Sequence, residues 1–195
     1  MFDHSRRLPS LGILLLLTVV AHPRSVHAGA TQTPVISPEL VLSGGEYYNR
    51  GAQKHRRGDY RGAIQDYTQA LKLDDTLGDA YVARGSARDD AGDSAGALLD
   101  FDRALNLNHD NLLAYYNRGL AYLRLGRAQA ALDDFDQVLH LRPDDPLAYY
   151  NRGIARQSLG DPSGARADLE AAAKIFSAMG NQESYQHVLE ALKGL

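Results

Sequence analysis

The chain has 195 residues, of which 44% are hydrophobic and only seven are proline, so it can bury a core and is not disordered by composition. It contains no cysteine, which excludes thiol nucleophiles, cysteine-ligated zinc, disulfides and lipid attachment to an N-terminal cysteine. The formal net charge is −3, and a chain with no excess of basic residues is a poor match for a phosphate backbone, so nucleic acid is not an expected partner.

The first thirty residues differ from the rest. Arg6 and Arg7 precede an apolar run from Leu11 to Ala21, and a short polar stretch then ends in Val26-His27-Ala28. A basic start, an apolar core and small residues before a cut are the order of a secretory signal peptide, here residues 1–28, with Ala30 as the other possible cleavage point. As a helix the apolar run rises only about 16 Å, against roughly 30 Å of hydrocarbon, so no stable membrane span is expected after cleavage. Cleavage after Ala28 removes three of 21 basic and one of 24 acidic residues, leaving 18 and 23, a net charge of −5. Residues 29–43, with Pro34 and Pro38 among polar residues, read as a flexible linker.

From residue 44 onward the chain repeats. Asn-Arg-Gly occurs at 49–51, 117–119 and 151–153, and Ala83-Arg84-Gly85 fills the missing register, every step being 34 residues. Tyr47, Tyr81, Tyr115 and Tyr149 stand four before those glycines, and Gly58, Gly92, Gly126 and Gly160 stand seven after. Ala63, Ala97, Ala131 and Ala165 follow at twelve, and Tyr67, Phe101, Phe135 and Leu169 at sixteen. Each unit reads as a helical hairpin. In the third, a helix over about Leu112–Leu125 stops at Gly126, and a second over Ala128–Leu141 stops at Arg142-Pro143. Pro146 then suits the first turn of the next helix. Leu132, Phe135, Val138 and Leu139 form one apolar stripe at helical spacing, which a lone hairpin cannot bury. Glycine inside a helix costs about 1 kcal/mol relative to alanine. Its fixed phase at 51, 85, 119 and 153 predicts close approach of the paired helix, whose matching alanine is equally small.

This series of aromatic, glycine, glycine, alanine, phenylalanine and alanine resembles the tetratricopeptide repeat, over residues 44–77, 78–111, 112–145 and 146–179. The resemblance implies an all-α fold: a right-handed α-solenoid of four helical hairpins, with residues 180–195 as a capping helix over Gln182–Lys193 whose apolar set is Tyr185, Val188, Leu189 and Leu192. The chain departs from the family in having arginine where leucine is usual, at 50, 84, 118 and 152. Aspartate follows each of them by sixteen, at 66, 100, 134 and 168, which predicts a charge-assisted bond across every hairpin. The family's terminal proline survives only as Pro143, so the turns at Asp75 and His109 are less rigidly specified.

No chemistry emerges from the residue pattern. After the expected cleavage the histidines are His55, His109, His140 and His187, none paired at metal-ligand spacing. Asp133-Asp134-Asp136 lacks the glycine turn and distal glutamate of a calcium loop. No nucleophile elbow or phosphate loop occurs, so neither catalysis nor a cofactor or metal is expected.

The resemblance implies a concave wall made by the first helices. Carried over residue by residue, the inward positions are Tyr48 and Asn49, Val82 and Ala83, Tyr116 and Asn117, Tyr150 and Asn151, then Ala52, Ser86, Leu120 and Ile154, and one turn on His55, Asp89, Leu123 and Gln157. Three tyrosines supply rigid contact surface, and Asn49, Asn117 and Asn151 form a ladder of amides able to donate to and accept from a peptide backbone. No lysine occupies these slots, which disfavours a terminal carboxylate as ligand and favours an internal peptide segment. The expectation is therefore a monomeric, non-catalytic adaptor, exported to the periplasm or secreted, that binds a protein or peptide segment. The other reading, a self-associating structural protein of the cell envelope, is opposed by the polar cap.

Overall fold

A computed structural model describes residues 42–195 of the chain. The expected signal peptide and most of the expected linker lie outside the described residues. Among these, nine α-helices and no strand occur: α1 (Gly44–Arg56), α2 (Tyr60–Leu73), α3 (Gly78–Asp90), α4 (Ser94–Leu107), α5 (Leu112–Arg124), α6 (Ala128–Leu141), α7 (Pro146–Ser158), α8 (Pro162–Ala178) and α9 (Gln182–Lys193). Consecutive helices pack on one another along the whole series, and α1·α3, α3·α5 and α5·α7 also touch, so the first helices of neighbouring hairpins form one wall. No helix of the described residues is long and apolar enough to cross a membrane.

Local chemistry sets the boundaries. Ser43, expected at the end of the linker, instead caps α1 in a capping box with Glu46. Asp59, Asp93 and Asp161 cap α2, α4 and α8 by accepting the N–H of Gly62, Gly96 and Gly164. A Cβ on any of those three glycines would overlap the capping carboxylate. In the third hairpin both halves of the device are absent, with Arg127 and Ala130 in their places and no side-chain cap on α6. At the end of α5, Gly126 has φ of +70°, with Arg127 N–H bonded to Tyr122 O at 2.8 Å and Gly126 N–H to Leu123 O at 3.0 Å. These are the two bonds of a Schellman motif, and they turn the chain into α6. Where the terminal proline is missing, Asp74 accepts from Thr76 N–H at 2.9 Å and Asn108 from Asp110 N–H at 3.0 Å. These Asx turns supply the stop that proline supplies at Pro143.

The core is one large side chain per hairpin: Tyr67, Phe101, Phe135 and Leu169 are each at most 2% exposed. The close approach predicted at the helical glycines is real; at Gly51, Gly85 and Gly119 the nearest atoms belong to this ring, and at Gly153 to Ala165 O and Leu169 Cγ, both at 3.2 Å. A Cβ on Gly85 would lie 2.7 Å from Phe101 and one on Gly119 2.9 Å from Phe135. Helix α8 has 17 residues where α2, α4 and α6 have 14, so α9 falls out of repeat phase. It covers the last hairpin with Val188, Tyr185 and Leu192, as expected, while Leu189 lies outside that cluster.

Candidate functional site

The wall's first helices are held in place by an arginine each. The paired guanidinium nitrogens of Arg50 donate to Asp66 at 2.8 and 2.6 Å, of Arg84 to Asp100 at 3.0 and 2.6 Å, of Arg118 to Asp134 at 2.9 and 2.7 Å, and of Arg152 to Asp168 at 2.9 and 2.6 Å. The bond expected from the sequence is thus present in every hairpin, and it is bidentate. The remaining nitrogen reaches back to the preceding hairpin: Arg84 to Thr68 at 3.2 Å, Arg118 to Asp102 at 2.6 Å and Arg152 to Asp136 at 2.6 Å. Tyr47, Tyr81, Tyr115 and Tyr149 lay their rings beneath these guanidinium groups at 5.1–5.6 Å. The backward reach was absent from the sequence reading, although the 34-residue spacing of Thr68, Asp102 and Asp136 was its signal.

A second cation joins three of the four aspartates: Lys54 on Asp66 at 2.8 Å, Arg88 on Asp100 at 2.8 Å and Arg156 on Asp168 at 2.9 Å. Tyr122 occupies that slot in the third hairpin. Accordingly the Arg50 hydrogen bonds, opposed by burial and helped by Lys54, hold the Asp66 carboxyl below the usual carboxylate range. Burial pushes the Asp134 carboxyl up, and the bonds from Arg118 offset this only in part.

Along the concave wall the predicted residues divide. Tyr48 is half-buried, packs on Tyr67 at 5.7 Å and lines a 190 Å³ cleft with Asn49, Leu77 and Asp79. Tyr116, Leu120, Tyr150 and Asn151 line a 440 Å³ cleft closed by Leu147, Phe176 and, from α9, Glu183, Ser184, His187 and Val188. The His187 ring packs on that of Tyr150 at 5.3 Å, tilted by 42°. Between these clefts the wall is polar: Ser86, Asn117 and Leu120 share a 100 Å³ depression with Asp89, Asp90 and Arg124. His55 Nε2 lies 2.8 Å from Asp90 there, and Arg124 pairs with the buried Asp89, which also accepts from Ser94.

Some of the inward residues serve the fold instead. Val82 is 7% exposed and belongs to the core beside Phe101, because α3 carries a small aliphatic side chain where its neighbours carry tyrosine. The three asparagines do not form a free ladder. Asn117 donates to Ser86 at 3.2 Å, and Asn151 donates to Tyr116 Oη at 3.1 Å and to Leu147 O at 2.9 Å, so both tie neighbouring helices together and Asn151 has spent its donors. Asn49 is exposed. Ile154 is half-buried and lines none of these clefts. Burial raises the Tyr116 and Tyr150 hydroxyls above their ordinary value, the bond from Asn151 opposing this at Tyr116, so both are neutral near pH 7.

Sequence reading missed Leu147, Leu77 and Asp79, which belong to the first turns of α7 and α3 or just before them, and every contribution from α9. The series Gly45, Asp79, Leu113, Leu147 turns apolar in its last two units, which was a readable signal. The α9 residues had none, since that helix is out of phase. Among the described residues no group of three or more His, Cys, Asp or Glu could hold a metal ion.

Comparison with known proteins agrees with this geometry. A tetratricopeptide repeat family model matches residues 113–145, and a TPR repeat model matches residues 90–126. The first TPR of Spaghetti (RPAP3), solved bound to an HSP90 peptide, is 27% identical, with 60% of this chain and 94% of that chain covered at a TM-score of 0.60. The TPR domain of OM64 from Arabidopsis is 25% identical, covering 59% of this chain and 95% of its own at 0.58. YrrB, described as a TPR protein with an unusual peptide-binding site, is 24% identical over 77% of this chain and 74% of its own at 0.67, a likeness of fold. No curated protein matches the sequence.

Proposed function

We propose that this chain, whose residues 90–145 match tetratricopeptide repeat models of a fold that generally mediates protein–protein interaction, is a non-catalytic adaptor that binds a polypeptide segment along its concave wall. The observation that carries this is the 440 Å³ cleft between α5, α7 and α9. Its volume falls within the roughly 300–1,000 Å³ of ligand pockets, and its lining is largely aromatic and aliphatic with a few polar groups. Tyr48, Asn49, Ser86, Tyr116, Asn117, Leu120, Tyr150 and Asn151 remain in the proposed surface, joined by Leu147. Val82 is withdrawn as core, and Ile154 as outside the clefts.

The order of residues 1–28 supports placing this activity outside the cytoplasm, in the periplasm or in the secreted fraction. The molecule is taken to act as a monomer, because α9 covers the last hairpin with its apolar side and faces outward with Gln186 and Glu190. The experiment is crosslinked capture from intact cells by the full chain and by Leu147→Gln, with fractionation and size measurement of the processed protein. Capture of a partner outside the cytoplasm that Leu147→Gln abolishes is the expected result. Equal capture by the variant, or growth of the particle with concentration in place of a partner, overturns it.

A further inference from the structure

The two clefts of the concave wall share a composition. Each sets a tyrosine and a leucine beside a single carboxylate: Tyr48 and Leu77 beside Asp79, and Tyr116, Tyr150 and Leu147 beside Glu183. Neither Asp79 nor Glu183 has a cationic or hydrogen-bonding partner for its side chain among the described residues, and no lysine or arginine lines either cleft. Asp79 and Glu183 are exposed, whereas the buried carboxylates Asp66, Asp89, Asp100, Asp134 and Asp168 all hold a cation. The cations of the wall are used between hairpins, as with Arg124 on Asp89. A carboxylate at an apolar rim repels an acidic side chain or a free chain terminus, and attracts an ammonium or guanidinium brought beside it.

Resting on the groove reading above, we propose that the partner is an internal polypeptide segment in which a bulky apolar side chain is flanked by lysine or arginine. The apolar side chain enters the cleft formed by Tyr116, Leu120, Leu147, Tyr150 and Val188, and the flanking cation pairs with Glu183. An acidic C-terminal tail fits this cleft poorly, since no lysine or arginine lines it, Asn151 has spent its donors and His187 is its one basic side chain.

The test uses two acetylated and amidated peptides, GSGKFKGSG and GSGEFEGSG, titrated by NMR into the full isotope-labelled chain, its Glu183→Gln variant and its Glu183→Lys variant. The lysine peptide is expected to shift the Tyr116, Tyr150 and Val188 resonances and to bind about threefold more tightly than the glutamate peptide, a preference of the size an exposed pair supplies. Glu183→Gln is expected to remove the preference and Glu183→Lys to reverse it. Since Glu183 sits exposed in the first turn of α9, the glutamine variant keeps the fold even where lysine opposes the helix dipole. Equal binding of both peptides in the cleft overturns the charge assignment and leaves the groove reading standing. Absence of any shift on the concave wall with either peptide overturns the proposal too, while capture by the Leu147→Gln pair of proteins decides the groove reading separately.

Discussion

The two faces of each first helix obey different rules. On the side turned to its own hairpin, the same tyrosine, arginine and aspartate recur four times with nearly the same distances, from Tyr47, Arg50 and Asp66 to Tyr149, Arg152 and Asp168. On the concave side the equivalent slots hold Tyr48, Val82, Tyr116 and Tyr150, then Ala52, Ser86, Leu120 and Ile154. Identity is required where each unit must dock on the next, because a misplaced buried charge is costly to the whole stack. Variation is tolerated where the wall meets solvent or ligand, and variation is what makes one end of the groove apolar and its middle polar.

The largest break in this comparison is on the repeated side. Arg118→Ala leaves Asp134 buried with no other cation, and its unfolding free energy is expected to fall by about 3–5 kcal/mol in a urea titration. Arg50→Ala is expected to cost only about 1–2 kcal/mol, because Lys54 remains on Asp66 at 2.8 Å. Equal losses would show that the second cation contributes nothing.

Next in size are the helical glycines. Gly85→Ala forces a methyl group against Phe101, an overpacking that costs about 1–3 kcal/mol and exceeds the roughly 1 kcal/mol gained in helix propensity. Gly153→Ala meets Ala165 O and Leu169 Cγ at 3.2 Å and is expected to cost less than Gly85→Ala by thermal unfolding. The difference follows from leucine replacing an aromatic ring in the fourth hairpin.

Acid separates the first and third hairpins by a smaller amount. Asp66 has a lowered folded pKa, so its ionised form contributes stability present above the unfolded value of about 3.9 and lost as pH falls through the folded pKa. Asp134 has a raised folded pKa, so its protonation begins above that unfolded value and relieves a cost instead of removing a benefit. A carboxyl NMR titration is expected to show Asp134 protonating first, while Asp66→Asn flattens the acid limb of stability more than Asp134→Asn does. The reverse order would mean that Arg118 alone outweighs burial. Smallest of all is the effect of Leu147→Gln on stability, expected within about 0.5 kcal/mol of wild type, since Leu147 is 49% exposed.

Much of the fold was legible because it is written four times over. Spacing identified the hairpins, and helices α6 and α9 have the boundaries that periodicity and turn residues predicted, with α5 ending one residue early at Arg124. The arginine–aspartate pair was legible for the same reason. The groove was legible only in part. Slot position put Tyr116 and Tyr150 on the side where they line a cleft, but it could not reveal that Val82 sinks into the core, since an aliphatic residue suits a core and a wall equally well. Nor could it show that Asn117 and Asn151 bond to Ser86 and Tyr116, because that depends on how far apart neighbouring hairpins stand.

Periodicity alone determined that this chain is a stack of helical hairpins, because a pattern repeated every 34 residues constrains each unit to bury the same stripe against its neighbour. Which of the inward side chains remain open to a partner was decided only in three dimensions. Three additional residues in α8 carry α9 out of register and bring Glu183, His187 and Val188 over Tyr150, and no repeat pattern can encode a contact made by the helix that breaks it.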